Sequence, residues 1–231
     1  MADDAMVLAQ IGQKIAHAVV DNGGKDSDTK TVLLYQNLPK DIAMLILGKA
    51  KIVMIEVTKI LRLVKSAIEI PAVTEPFVVA DHFQVNIGDN VTKPWQKGEV
   101  RICDIGKDFK AHFFGQGVSV RDGQVLSCNR LIKNAYDMEM LKELGSGIET
   151  DLAGLWYLLE QQPEGGRGFL CTDGYAANIF YITDNTGVVQ AVRAHCIVNS
   201  WCIDSHDPNN IGKKWDVGVR VFSCNQGNQP L

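Results

Sequence analysis

Toward the C-terminus the chain alternates apolar and polar positions with a period of two. Val192, Ala194, Cys196 and Val198 fall on one side, and Arg193, His195, Ile197 and Asn199 on the other. After Ser200 the pattern resumes, with Trp201, Ile203 and Ser205 set against Cys202, Asp204 and His206. Successive side chains of a strand point to opposite faces, so this alternation predicts strands with one face on a core. Residues 177–183 (ANIFYIT) and the run from Val188 flank Asp184-Asn185-Thr186-Gly187, which predicts a β-hairpin leading into the tail. Arg220, just after Gly218, falls in a final strand.

The first part of the chain reads differently. Leu8, Ile11, Ile15 and Val19 lie on one helical face before Asn22-Gly23-Gly24 breaks the pattern. The aliphatic stretch 41–70 predicts a second helix, buried against the first or against a sister subunit. Lys49, Lys51, Glu56, Lys59, Arg62 and Lys65 interrupt that stretch. They leave nothing near the roughly 20 apolar residues that a membrane span needs. Pro71 and Pro76 mark a junction, followed by short strand-like runs at 77–80, 99–105, 118–120 and 125–127. The last two flank Asp122-Gly123, a hairpin turn signal. The clearest helix is 150–162, capped by Thr150 or Asp151, lined by Leu152, Leu155, Trp156 and Leu159, and stopped by Pro163 and Gly165. The fold class expected is α+β: a helical region over 1–75, serving packing or oligomerisation, then a strand-rich domain over 76–231 whose tail is 191–225.

Composition narrows the function. The chain has 231 residues, 46% hydrophobic and 22% charged, the balance of a folded globular protein. Net charge is −4 and Lys and Arg form no block, which argues against nucleic acid as a partner. The start, MADDAMVLAQ, lacks the basic and apolar regions of a signal peptide, so synthesis in the cytoplasm is expected. Six cysteines, at 103, 128, 171, 196, 202 and 224, form no Cys-x-x-Cys pair. They read as reduced thiols rather than a disulfide framework.

Each candidate chemistry has a plainer competitor. His195, Cys196, Cys202 and His206 are zinc-ligand types, but a strand sends His195 and Cys196 to opposite faces. A Cys/His nucleophile using Cys196 or Cys202 lacks an evident orienting group. Asp204, Asp207 and Asp216 do not have EF-hand spacing. Gly165-Gly166-Arg167-Gly168 lacks the Gly-Lys-Ser/Thr ending of a phosphate loop and reads as a connection. No metal or cofactor is expected. Trp201, Trp215 and Phe222 read as core anchors, and the planar fork of Arg220 suits tying loops together. Constant-looking Trp and Gly positions thus alternate with side chains that share no chemistry. Catalysis needs a few matched groups, so the contrast favours a binding face.

Residues 174–225, with GYAANIFYITDNTGVVQAV, the mixed segment and WDVGVRVFSCN, resemble the variable proteins of diversity-generating retroelements. Those proteins are built on a C-type-lectin-like fold. The ending Gly218-Val219-Arg220-Val221 is similar to the closing strand of formylglycine-generating-enzyme-like members of that fold. The resemblance implies diversification at adenines of selected codons. It marks Arg193, His195, Ile197, Val198, Asn199, Cys202, Asp204, His206, Asp216 and Val219 as diversified, ligand-binding sites. Each of these residue types is reachable from an Asn codon in that way. Trp201, Trp215, Gly218, Arg220 and Phe222 would form the scaffold. The calcium signature of sugar-binding C-type lectins is absent, Trp215-Asp216-Val217 keeping only part of it, and the formylglycine-type cysteines cannot be placed. Residues 1–75 lie outside the resemblance. The reading is a non-enzymatic recognition protein whose partner is a protein or cell-surface ligand. Its rivals are a Cys/His hydrolase or transferase and a structural assembly protein oligomerising through the N-terminal helices.

Overall fold

The computed structural model describes residues 59–89, 91, 93–210 and 214–224. They belong to one compact unit, Thr58–Leu231. The helices expected before residue 59 lie outside the described residues. The described part is mixed α and β and mostly sheet. Among the described residues no helix is long and apolar enough to cross a membrane.

One expectation is corrected at the start of this part. Leu61–Ile70, expected as helix, is a strand, β1. It pairs antiparallel with β5 (Gln124–Leu131), with register shifts between Leu63 and Lys65 and between Lys65 and Ile68. Leu61, Ile68 and Ile70 are buried, whereas Leu63 and Val64 face solvent. Local apolar spacing suits either conformation here, and pairing to a strand some sixty residues later decides between them. β1 therefore belongs to the strand-rich unit and not to a helical region.

The remaining elements are β2 (Phe77–Val78), α1 (Val79–His82), β3 (Ile102–Ile105), α2 (Lys107–Phe113), β4 (Gly117–Val118), α3 (Asp137–Leu144) and α4 (Leu152–Glu160). They are followed by β6 (Asn178–Thr183), β7 (Val189–Ile197), β8 (Ser200–His206) and β9 (Arg220–Cys224). Seven strands form one sheet in the order β1-β5-β9-β6-β7-β8-β3. The contacts β9–β6 and β8–β3 are parallel, and the others are antiparallel. A second correction concerns Asp122-Gly123: β4 pairs with β2 and β5 with β1 and β9, so the expected hairpin does not form. The β6–β7 hairpin and α4 form where expected, and Asp151 caps α4 by accepting the Gly154 N–H at 2.7 Å.

The central strand β6 is buried on both faces, as its unbroken apolar run requires. Phe180 and Ile182 join the larger core, with Val192, Ala194, Trp201, Ile203 and Phe222 from the sheet and residues of α2 and α4. Phe180 stacks on Phe222 at 4.6 Å. Ile179 and Tyr181 point the other way into a smaller core with Ala191, Val219, Val221 and Met140 of α3. Leu61 of β1 and Leu131 of β5 join the same core, and Glu143 of α3 accepts the Leu61 N–H at 3.1 Å, so α3 covers the second face from β1 to the start of β7. Past Ala191 that face is open, and the outward side chains of β7 and β8 stand on it.

The loop 161–177 braces the sheet end. Gln162 donates through Nε2 to the Leu170 and Gly166 carbonyls and accepts the Leu170 N–H, while its own carbonyl receives the Trp201 indole N–H at 2.9 Å. A side chain at Gly168 would collide with Gln162. The Gly-rich segment is the structural connection expected. Arg220 Nη1 donates to the Phe169 carbonyl, tying this loop to β9.

Candidate functional site

The antiparallel register of β7 on β8 sets Ala191 opposite His206, Arg193 opposite Asp204, and His195 opposite Cys202. Directly opposed and diagonal residues on one sheet face are within reach of long side chains. Arg193, His195 and His206 therefore converge, and they line a pocket of about 380 Å³. Trp215, Asp216 and Lys214 close it from the segment before β9, and Tyr175 from the loop before β6. That volume lies in the range of small-molecule sites.

Asp137, the first residue of α3, organises the pocket floor. It is only 3% exposed. Its Oδ1 accepts the Tyr181 hydroxyl at 3.0 Å and the Trp215 indole N–H at 2.9 Å, and its Oδ2 accepts His206 Nε2 at 3.0 Å. Three donors compensate the desolvated carboxylate, as a buried charge requires. Burial, reinforced by the neighbouring Asp137 charge, pushes the Tyr181 phenol up, so it stays a donor. With Nε2 of His206 donating to Asp137, the ring is held tilted against Trp215, their centroids 5.5 Å apart. His195 is fixed in the same manner by donation from Nε2 to the Gly174 carbonyl at 3.0 Å.

Arg193 is steered by Asp204, its Nη2 lying 3.5 Å from Oδ2. The two side chains are 41% and 42% exposed, so the pair contributes little stability. Asp204 itself is firmly placed. Its Oδ1 accepts the Ser205 N–H at 2.8 Å, and its carboxyl occupies the space a side chain at Gly106 would need. Among the described residues Arg193 has no other hydrogen-bond partner, so most of its donors face outward.

The expected positions divide into three groups. Arg193, His195, His206 and Asp216 line the pocket, with Cys202 and Asp204 beside it on the same face of β8. Ile197, Val198 and Asn199 lie at the far end of the β7–β8 hairpin, outside the pocket. Asn199 was expected to share a strand face with Arg193. Instead Val198 (φ 46°) and Asn199 (φ 59°) form the two-residue turn, because Ile197 pairs with Ser200. Val219 is corrected as well: it was expected to face solvent, yet it is 3% exposed and packs in the smaller core, touching the pocket only from beneath.

The scaffold residues are placed as anchors. Trp201 and Phe222 are fully buried, Trp215 bonds Asp137, and Gly218 holds φ at 106°, a conformation that favours glycine. Cys196 is buried on the core side of β7, away from His195, so the four zinc-type groups do not converge. Cys202 Sγ lies 2.7 Å from Cys103 Sγ of β3, and burial together with that neighbour pushes its thiol up to about 12. Asp137, Tyr175 and Lys214 were missed by sequence reasoning. Asp137 carries only the local mark of an acid in a first helical turn, and its partners lie 44, 69 and 78 residues away.

Compared with known protein families, curated proteins and solved structures, the chain matches none.

Proposed function

We propose that the chain is a recognition protein whose open face of β7 and β8 is diversified in its gene and displayed on a C-type-lectin-like scaffold. The observation that carries this reading is the division of labour along two adjacent strands. Val192, Ala194, Trp201 and Ile203 are locked in the core, while Arg193, His195, Asp204 and His206 stand on the opposite face around a pocket. The hairpin turn adds support. Val198 is 87% exposed at positive φ, where Asn, Asp or Gly is preferred and a β-branched residue is strained. A residue unsuited to its backbone and burying nothing fits a position altered without regard to folding.

Sequencing the DNA beside the gene tests the reading. A reverse transcriptase and a short near-copy of the codons for residues 192–222, differing at adenines, are expected. Absence of both would remove diversification. On the protein, Arg193→Ala with His195→Ala is expected to abolish ligand binding with little loss of stability, since both side chains stand on the surface face.

The Asp137–His206 pair favours one second reading. A buried carboxylate orienting an imidazole at a pocket wall is the base-and-orienter arrangement of hydrolases. The described pocket lining includes no Ser, Thr or Cys, so water would be the nucleophile. Hydrolysis of p-nitrophenyl phosphate or p-nitrophenyl acetate that is lost in His206→Gln would support it. A nucleophilic Cys196 or Cys202 fits less well, one being buried on the core side and the other a strongly raised thiol.

A further inference from the structure

We infer that the pocket takes a small planar-ring ligand through an anionic group, carboxylate or phosphate, held by Arg193 and Lys214. The inference rests on the recognition reading above and names the ligand class of the same pocket.

The charge of the lining points to an anion. Arg193 and Lys214 contribute two cations, and Asp216 is the one carboxylate among the described lining residues. Asp216 already accepts Asn134 Nδ2 at 3.2 Å. His195 and His206 add either no charge or a positive one. The Asp137 carboxylate lies beneath His206 and is sealed by its three donors. Asp204, outside the lining, engages one terminal nitrogen of Arg193 and leaves the rest of the guanidinium fork for a ligand. Among the described residues Lys214 makes no ion pair, and its ammonium rests over the Tyr136 ring at 4.9 Å. Charge-assisted bonds to a carboxylate or phosphate are the strong contacts such groups make.

The aromatic lining points to a ring. Trp215 and His206 form one wall with centroids 5.5 Å apart. Tyr175 stands at the mouth, 95% exposed. Its backbone N–H and that of Ala176 both bond Asp173 Oδ1 at 2.9 Å, so the loop bearing this bare phenol is held in place. Arg, Tyr and Trp are the residue types that dominate binding hot spots, and here one of each borders a single pocket.

Titration of the full-length protein with benzoate, phenyl phosphate, benzyl alcohol and inorganic phosphate at constant ionic strength, followed by Trp fluorescence and calorimetry, tests this. Benzoate or phenyl phosphate is expected to bind at least about tenfold more tightly than benzyl alcohol, as a charge-assisted contact implies. Comparison of those two probes separates carboxylate from phosphate preference. Arg193→Ala should weaken the anion by about tenfold or more, Arg193→Lys by less, with the unfolding midpoint of both variants unchanged. Benzyl alcohol binding as well as benzoate would overturn the anion. Inorganic phosphate binding as well as phenyl phosphate would overturn the ring. No binding by any probe up to about 10 mM, the weak limit of a specific site, would overturn both. These failures are separable from that of diversification. A retroelement beside the gene with no anion binding removes only the ligand class, and anion binding without a retroelement removes only diversification.

Discussion

His206 donates its Nε2 proton to Asp137 across 69 residues of sequence, and that single bond joins the end of β8 to the start of α3. Because Asp137 also receives Tyr181 and Trp215, it joins the pocket to the smaller core. Asp137→Ala would leave the Trp215 indole N–H without its acceptor and the buried Tyr181 phenol with only the long bond, 3.4 Å, to the main-chain carbonyl of residue 137. An unmade buried hydrogen bond costs about 1–3 kcal/mol, so a total loss of about 3 kcal/mol or more is expected in urea denaturation. His206→Ala should cost less, because His206 is partly exposed and its loss removes one of three donors.

Val198 and Asn199 both sit at positive φ in the β7–β8 turn. Val198→Gly or Val198→Asn should raise stability by about 1 kcal/mol, the scale of strain for a residue in an unfavoured backbone region. The measurement is the unfolding midpoint. A neutral or destabilising result would remove the turn-strain argument for diversification at this position.

Asp184 sets the acid limit of the β6–β7 hairpin. Burial alone would raise its carboxyl, but bonds from the Thr186 hydroxyl, the Gln190 amide and the Val188 and Thr186 N–H groups outweigh it and hold the group well below its usual value. His112 Nδ1 lies a further 3.0 Å from Oδ2. A depressed carboxylate contributes stability that is complete above its unfolded value, about 4, and is lost as pH falls below it. Asp184→Asn should therefore destabilise at pH 7 and flatten the fall in stability below about pH 4. The check is the unfolding midpoint measured from pH 7 down to pH 2.

Cys103 and Cys202 face each other from β3 and β8, both partly exposed. Diamide should oxidise them to a disulfide, the two thiol hydrogens passing to diamide as it becomes the hydrazine. Neighbouring strands give a Cα separation that a disulfide can span. Peptide mapping is expected to show that linkage and none to the buried Cys196. Without oxidant, iodoacetamide at pH 7 should modify Cys202 slowly, because a thiol pushed up to about 12 holds little thiolate.

Much of the site-bearing sheet was legible in the chain. The alternation of Val192, Ala194 and Cys196 with Arg193 and His195 is a direct consequence of strand geometry, and it gave the two faces of β7 correctly. Trp201 and Ile203 did the same for β8, and Asp151 marked the start of α4. Errors arose where two conformations or two environments share one local pattern. LRLVKSAIEI has apolar residues that suit a helix or a strand, and the valine after Gly218 has nothing beside it to signal burial.

Alone, the sequence determined which side chains of 192–196 and 201–206 share a face, where the β6–β7 hairpin turns and where α4 is capped, since these depend on neighbours a few residues apart. Tertiary structure decided that 61–70 is a strand, that Val219 is core, and that Arg193, His206, Lys214 and Trp215 meet at one pocket. It also decided that the carboxylate beneath His206 is Asp137, supplied from another element. Those outcomes depend on hydrogen-bond and packing partners tens of residues away. Local periodicity carries no information about such partners, because it describes a residue's own element and not what that element packs against.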